Sequence, residues 1–411
     1  MPKHTYILCL ILMSLTTVAP LTNVYAQQSW TFLTTPLQLT SWFDHAVTPD
    51  LAVDSSGFLH IVYRANDGSN LEMWYTTNSG NVYGNITGWE PIDDDIYPNY
   101  PYPAIALDSN GYAHVAWLEN PSTTYLFYSS NIGGFTPSNV VQLTPCPSSS
   151  SDPVIDIAID KSNTVWIVFR NSTGVYVINN KGGSFNPAVQ IPGTNGDEAH
   201  PQIAANNYPH VVFEDQEGID KGIYYSKNVG AGFITPIQLT DNSFDDTDPA
   251  IAVDSNEIPY ITWTYDWTTT ESGTYEIFYS YNLQSPSYIT YDSYNQSHPA
   301  IAVTSTRVVF IVYEKDIGGG NENIFIRNSA DNFATEVQLT SNPYSDLYPR
   351  IGIDGSDSVH VIWYGYDGAV WSIFYNYGKI PTTPTIPGFS FILILSTIIG
   401  FAVLYKRKLY F

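Results

Sequence analysis

Apolar residues along this chain come in short bursts of four or five, rich in Ile, Val, Tyr and Trp and separated by Asn, Asp, Gly and Pro. That rhythm predicts short β-strands joined by turns. One burst recurs as TPDLAVDS (48–55), YPAIALDS (102–109), DPVIDIAID (152–160), HPQIAANN (200–207), DPAIAVDS (248–255), HPAIAVTS (298–305) and YPRIGIDG (348–355). Aligned on Asp54, Asp108, Asp160, Asn206, Asp254, Thr304 and Asp354, the copies are 54, 52, 46, 48, 50 and 50 residues apart. A period of about 40–50 residues with several strands per unit is that of propeller blades. The fifth unit carries four strand signals, IAVD (251–254), YITW (260–263), EIFYS (276–280) and SYITY (287–291).

Three columns of the alignment predict how the strands sit. A small residue is third in every first strand: Ala52, Ala106, Ala158, Ala204, Ala252, Ala302 and Gly352. Innermost strands crowd an axis and leave room for little else. An aromatic residue ends every second strand: Tyr63, Trp117, Phe169, Phe213, Trp263, Tyr313 and Trp363. Farther out the blades diverge and large rings fill the gap. A proline opens each first strand, where no ladder hydrogen bond is lost. The seventh unit ends at IFYNYG (373–378) without a fourth strand, while PLQLT (36–40) precedes the first unit unpaired. Ring closure by the N-terminal strand uses both and removes an open edge. The expectation is an all-β, seven-bladed β-propeller over residues 27–378, with four antiparallel strands per blade.

Charge narrows the partners. Lys and Arg number 15 against 39 Asp and Glu, a formal net charge of −24. Phosphate backbones need clustered cations, so nucleic acid is excluded as a partner. Residues 1–26 have a lysine, an apolar run and then Val-Tyr-Ala, the pattern of a signal peptide. At the other end, a Pro/Thr stalk (379–388) leads into 17 mostly apolar residues, Phe389 to Tyr405, and then a basic tail, 406–411. Seventeen helical residues span ~26 Å, enough for a bilayer, and the basic cluster places the tail in the cytoplasm. The chain is therefore expected outside the cell, anchored at the cell surface by its C-terminus. Pro387, Gly388 and Phe389 resemble the archaeal C-terminal sorting signals that carry these three residues before a short span. The resemblance implies removal of the tail by a membrane peptidase and attachment to lipid; an ordinary single-pass anchor fits the same residues. Cys9 falls in the signal segment, leaving Cys146 without an intrachain partner.

Between third and fourth strands, Asn recurs at 78, 131, 180, 228, 282, 328 and 376, often with Gly two residues on. The fourth unit reads SKNVGAGF (226–233). This resembles the Asp-box repeat of sialidase-like propellers, Ser-x-Asp-x-Gly-x-Thr-Trp, with Asn for Asp and Phe for Trp. In that family the box shapes a turn away from the active site. Asn and Gly also suit a tight hairpin by themselves, because both tolerate positive φ.

Candidate chemistry gathers on the face holding the 2–3 loops and the links between units, which are rich in Asp, Asn, Tyr and Trp. Four histidines, His60, His114, His210 and His360, share a slot with Trp166, Tyr260 and Phe310 and read as packing positions. The slot before the blade-opening proline is different. Asp152, His200, Asp248 and His298, with Tyr348, stand near the axis and could ring a cation such as calcium or another ligand, although no EF-hand-type loop supports calcium. Of five arginines outside the termini, Arg64, Arg170 and Arg350 point toward the same face. Three guanidinium groups on one carboxylate are what the sialidase resemblance implies as substrate anchor. That family's Phe/Tyr-Arg-Ile-Pro start is missing, and it has six blades. Asn85, Asn171 and Asn295 lie in glycosylation patterns. These features favour a non-catalytic surface propeller that binds a glycan or a surface protein. A sialidase-like glycoside hydrolase and a surface-layer component are the alternatives.

Overall fold

The computed structural model describes residues 30–379 except 41–44, 67–70, 79–87, 94–101, 120–123, 137–138, 147–154, 218–219, 241–243 and 268–273. The signal segment, the membrane span, the sorting motif, Asp152 and Asn85 lie outside the described residues. Among the described residues no helix is long and apolar enough to cross a membrane.

The described residues are all-β, apart from short 3-10 turns such as Ser329–Asp331. Five of the repeats each form a four-stranded antiparallel sheet in sequence order. The fifth runs Asp246–Val253, Pro259–Asp266, Tyr275–Tyr281 and Ser287–Tyr288. The first and last repeats belong to one nine-stranded sheet, joined by a single parallel bridge between Trp371 and His45. Each repeat's first strand packs against the next, and Asp346–Ile353 of the last packs against His45–Val53 of the first.

The N-terminal strand pairs where the sequence places it. Leu37 sits opposite Tyr375, and Gln38 opposite Phe374. The Leu39 N–H donates to Ile373 O at 2.7 Å, and the Ile373 N–H to Thr40 Oγ1 at 2.8 Å. A further short strand, Thr31–Phe32, extends the pairing to Gly378 and Lys379. A Cβ on Gly378 would come 2.6 Å from the Phe32 ring, so the close approach requires glycine.

The aromatic column forms the core between sheets. Tyr63, Trp117, Phe169, Phe213, Trp263, Tyr313 and Trp363 are all buried. Two of these rings are also tethered: Trp263 Nε1–H donates to Asp246 Oδ1 at 2.7 Å and Trp363 Nε1–H to Asp346 Oδ1 at 2.9 Å. The small column has its reason at the seam, where a Cβ on Gly352 would stand 2.6 Å from Val53 Cγ2. The aligning Asp is a turn-former: Asp54 Oδ1 accepts from the N–H groups of Ser56 and Phe58, and Asp108, Asp160, Asp254 and Asp354 repeat the arrangement. The recurrent Asn is a turn residue as well. Asn228 Oδ1 accepts from Gly230 N at 2.7 Å, and Asn78 Oδ1 from Leu59 N at 2.6 Å. The histidine slot packs as expected: His60, His114, His210 and His360 are buried, and each Nδ1 meets a tyrosine hydroxyl, of Tyr75, Tyr128, Tyr225 and Tyr375 respectively.

Candidate active site

The residue before the strand-opening proline is held in an unusual backbone. Thr48, His200, Asp248, His298 and Tyr348 have φ between 44° and 52°. Each sits at a β-bulge, where the first strand slips register against the second. Left-handed backbone at non-glycine residues costs ~1–3 kcal/mol each, and bulges re-aim side chains. Here the result is a pocket of about 220 Å³ lined by His200, Gln202, Asp248, His298, Tyr348 and Arg350. A second cavity of about 200 Å³ shares Gln202 and Arg350 and takes residues from the first strands of all seven repeats, including Asp50 and Asp156.

His298 is anchored from below. Its Nδ1 lies 3.0 Å from Glu314 Oε2, and the other oxygen of this buried carboxylate accepts the Tyr348 backbone N–H. Burial alone would lower the imidazole pKa. Glu314, with Asp248 beyond it, outweighs burial and holds the pKa at about 9. The Tyr348 ring packs against His298 at 4.2 Å between centroids, stacks on Tyr364 at 5.7 Å and meets Tyr102 at 6.4 Å. Burial, reinforced by neighbouring phenols and Glu314, pushes the Tyr348 and Tyr364 hydroxyls well above the ordinary range, so both stay protonated.

Two arginines approach these tyrosines. Arg350 Nε is 3.5 Å from Asp50 Oδ1, and its charge reaches Tyr364. Arg64 reaches Tyr102 and Tyr364, and burial pulls its pKa down. Among the described residues Arg64 has no ion pair, and its Nε is buried without a hydrogen-bond partner. A half-buried guanidinium that meets no carboxylate among the described residues has the charge and donors to receive an anion.

A second histidine–glutamate pair lies two repeats earlier. His200 Nδ1 bonds Glu214 Oε1, which also accepts the Asp248 N–H at 2.7 Å, while Lys221 Nζ stands 3.4 Å from Glu214 Oε2. Burial raises the Glu214 pKa, but His200 and Lys221 hold it below its ordinary value overall. One ligand atom from each of His200, Glu214 and Asp248 lies within 4.8 Å of the others, a spacing that could hold a divalent cation. Both Glu214 oxygens are already engaged, one of them by an ammonium group. The His298–Glu314 pair repeats the arrangement with Tyr348 in place of the acid. The carboxylate therefore orients an imidazole and ties down the next repeat's bulge without needing an ion.

Of the residues singled out by sequence, His200, Asp248, His298, Tyr348 and Arg350 line one pocket. Arg170 lies elsewhere: its carbonyl accepts the Cys146 Sγ–H at 3.1 Å, and it lines neither cavity. Arg64 lines neither cavity as well, so the expected three-arginine cluster is corrected: only Arg350 lines the pocket, with Arg64 within electrostatic reach of Tyr364. Asn171 uses its Oδ1 to accept from Thr173 N and Oγ1, and Asn295 is exposed. Sequence reasoning missed Glu214 and Glu314. Their slot holds Arg64, Leu118, Arg170, Thr264 and Tyr364 in the other repeats, so no column marks them. It also missed Asp156. The third repeat has two extra residues between Pro153 and Asp160, and register opposite Val168 puts Asp156 where Asp50, Gln202 and Arg350 stand.

No protein-family model and no curated protein matches the chain. Solved structures do. An ulvan lyase of family PL25, bound to -[GlcA(1-4)Rha3S]-, is 11% identical with a TM-score of 0.54, over 83% of this chain and 95% of that one. The polysaccharide lyase Uly1 is 9% identical with a TM-score of 0.52, over 83% and 90%. A protein of unknown function from Dyadobacter fermentans is 13% identical with a TM-score of 0.51, over 84% and 97%. The shared feature is the propeller-like all-β fold. Two of these three similar structures are polysaccharide lyases. This overturns the expectation of a non-catalytic binding propeller, which rested on finding no acid–base constellation in the sequence.

Proposed function

We propose that the chain is a carbohydrate-active enzyme built as a seven-bladed propeller, and that it cleaves a uronate-bearing polysaccharide by β-elimination at the His298 pocket. One observation carries the reading: an oriented imidazole, a protonated phenol and the Arg350 guanidinium line one pocket, with Arg64 within electrostatic reach of Tyr364, while the carboxylates beneath them are buried and already hydrogen-bonded. Hydrolysis of a glycoside ordinarily needs two substrate-facing carboxylates, and Asp248 is the only one lining this pocket among the described residues. A tyrosine nucleophile of the sialidase kind needs an adjacent base, whereas Glu314 is spent on His298 and a backbone N–H.

Elimination uses what is present. With Nδ1–H bonded to Glu314, neutral His298 presents Nε2 as a base. It takes the proton from C5 of the uronate. The electron pair forms the C4–C5 double bond, the C4–O4 bond breaks, and the Tyr348 phenol protonates O4. Arg64 and Arg350 neutralise the carboxylate as charge builds on it. The ulvan lyase of similar fold was solved with a glucuronate-containing ligand, which agrees with this substrate class.

The test is ultraviolet absorbance of the unsaturated product during incubation with ulvan, alginate and polygalacturonate. New reducing ends without that absorbance would show hydrolysis and sink the elimination. Loss of the signal in His298→Ala and Tyr348→Phe is expected.

A further inference from the structure

The chain between the fifth and sixth repeats carries tyrosines in water. Tyr281 is 38% exposed, Tyr288 64%, Tyr291 74% and Tyr294 40%. Elsewhere in the fifth sheet aromatic rings are covered: Tyr260, Trp263 and Tyr265 are buried. Two of these exposed rings adjoin each other. Tyr288 ends the short outer strand Ser287–Tyr288, and its ring centroid lies 5.6 Å from that of Tyr291. Tyr294 directly precedes the next first strand, Asn295–Val303, on which His298 stands. In extended chain the four residues from Tyr294 to His298 cover ~13 Å. The set of exposed tyrosines thus runs along the segment that joins the outer strand to the strand bearing His298.

Its inner member is held in place. Lys315 Nζ lies 5.4 Å from the Tyr294 ring centroid and is itself fixed by Asp292 at 2.6 Å and Glu336 at 2.9 Å. Ser285, Ser287, Asp292 and Ser293 between the rings are exposed, while the aliphatic Ile289 is buried and Leu283 packs against the core. A protein interface needs a contiguous apolar centre. Separate phenols flanked by hydroxyls match a ligand with an apolar ring face and a polar rim.

We propose that Tyr288, Tyr291 and Tyr294 form an extended binding strip for the polysaccharide chain, with pyranose rings lying on the phenol faces on the way to the His298 pocket. The inference rests on reading that pocket as a carbohydrate site, and binding can be measured without catalysis. A second copy of the protein is the competing occupant. A two-residue edge strand gives little template for strand pairing between copies.

The experiment is affinity electrophoresis of the protein through gels containing ulvan, alginate or polygalacturonate, compared with a Tyr288→Ala/Tyr291→Ala variant and with Tyr112→Ala, an exposed tyrosine of the second repeat. The double variant is expected to lose about tenfold in affinity for a retaining polymer, with an unchanged Tm, while Tyr112→Ala stays retained. Retention without cleavage in the unsubstituted protein would leave the strip standing and remove the catalytic reading. Equal retention of the double variant, or no retention in any gel, overturns the strip. Self-association that the double variant abolishes overturns it in favour of a contact between copies.

Discussion

His298 Nδ1 lies 3.0 Å from Glu314 Oε2, and Glu314 Oε1 accepts the backbone N–H of Tyr348. One buried carboxylate thus sets both the tautomer of the imidazole and the position of the phenol beside it. Because it bridges two repeats, the base and acid of the proposed reaction move as one unit.

The pH profile follows from this pair. His298 is protonated below about 9, and a base must be neutral. kcat/KM on a uronate polymer should therefore rise about tenfold per pH unit below that value and level off near it. In Glu314→Gln the counter-charge is gone, so the inflection should move toward acid by a unit or more. An unmoved inflection would show that another group is the base. The same shift bears on stability. The raised His298 pKa contributes fully below the unfolded value of about 6.5, and the contribution is lost as pH climbs through about 9.

Arg64→Met separates binding from folding. Removing a half-buried cation that has no ion pair among the described residues takes away a desolvation cost. Tm should hold or rise, while kcat/KM falls about 10²–10³-fold for loss of one charge-stabilising donor. A drop in Tm with unchanged activity would mean that Arg64 is a structural residue.

The charge of −24 opposes an anionic polymer at long range. Added salt should therefore lower KM on a uronate polymer between about 0.01 and 0.15 M, as the screening length shortens from ~30 to ~8 Å. A KM that climbs over that range would indicate that local arginine contacts outweigh the overall field.

The seam between the last and first repeats should be the most sensitive part of the fold. Leu39 is buried against the last repeat's third strand, and Leu39→Ala should cost ~2–5 kcal/mol in denaturant unfolding. Gly355→Ala places a Cβ 2.5 Å from Ser55 O and should destabilise by ~1–3 kcal/mol. Small effects at both positions would mean that the ends are not joined as described.

The sequence exposed what repeats and hid what does not. Strand positions, the aromatic column and the turn-forming Asp and Asn were legible because seven copies impose the same packing need. His200, Asp248, His298 and Tyr348 could be picked out as departures within a shared slot. Glu214 and Glu314 could not, since their slot holds five different residue types and the hydrogen bonds that tie down the next bulge cross between repeats. Arg170 misled because its position in the alignment equals that of Arg64, yet direction toward a face does not place two guanidinium groups in one pocket. Asp156 was hidden by a two-residue insertion that only strand register resolves.

The pairing of Leu37 with Tyr375 has a consequence in time. Thr40 and Ile373 are bonded across 333 residues of chain. At a synthesis rate of roughly 5–20 residues per second, the first strand made waits on the order of half a minute for its partner. Until then the last repeat lacks its outer strand and the first repeat lacks its neighbour, so a chain released early presents two open edges that can meet other chains. The protein is thus closed to aggregation only when its final repeat has emerged, and any helper that shields it during synthesis has to guard the N-terminal strand above all.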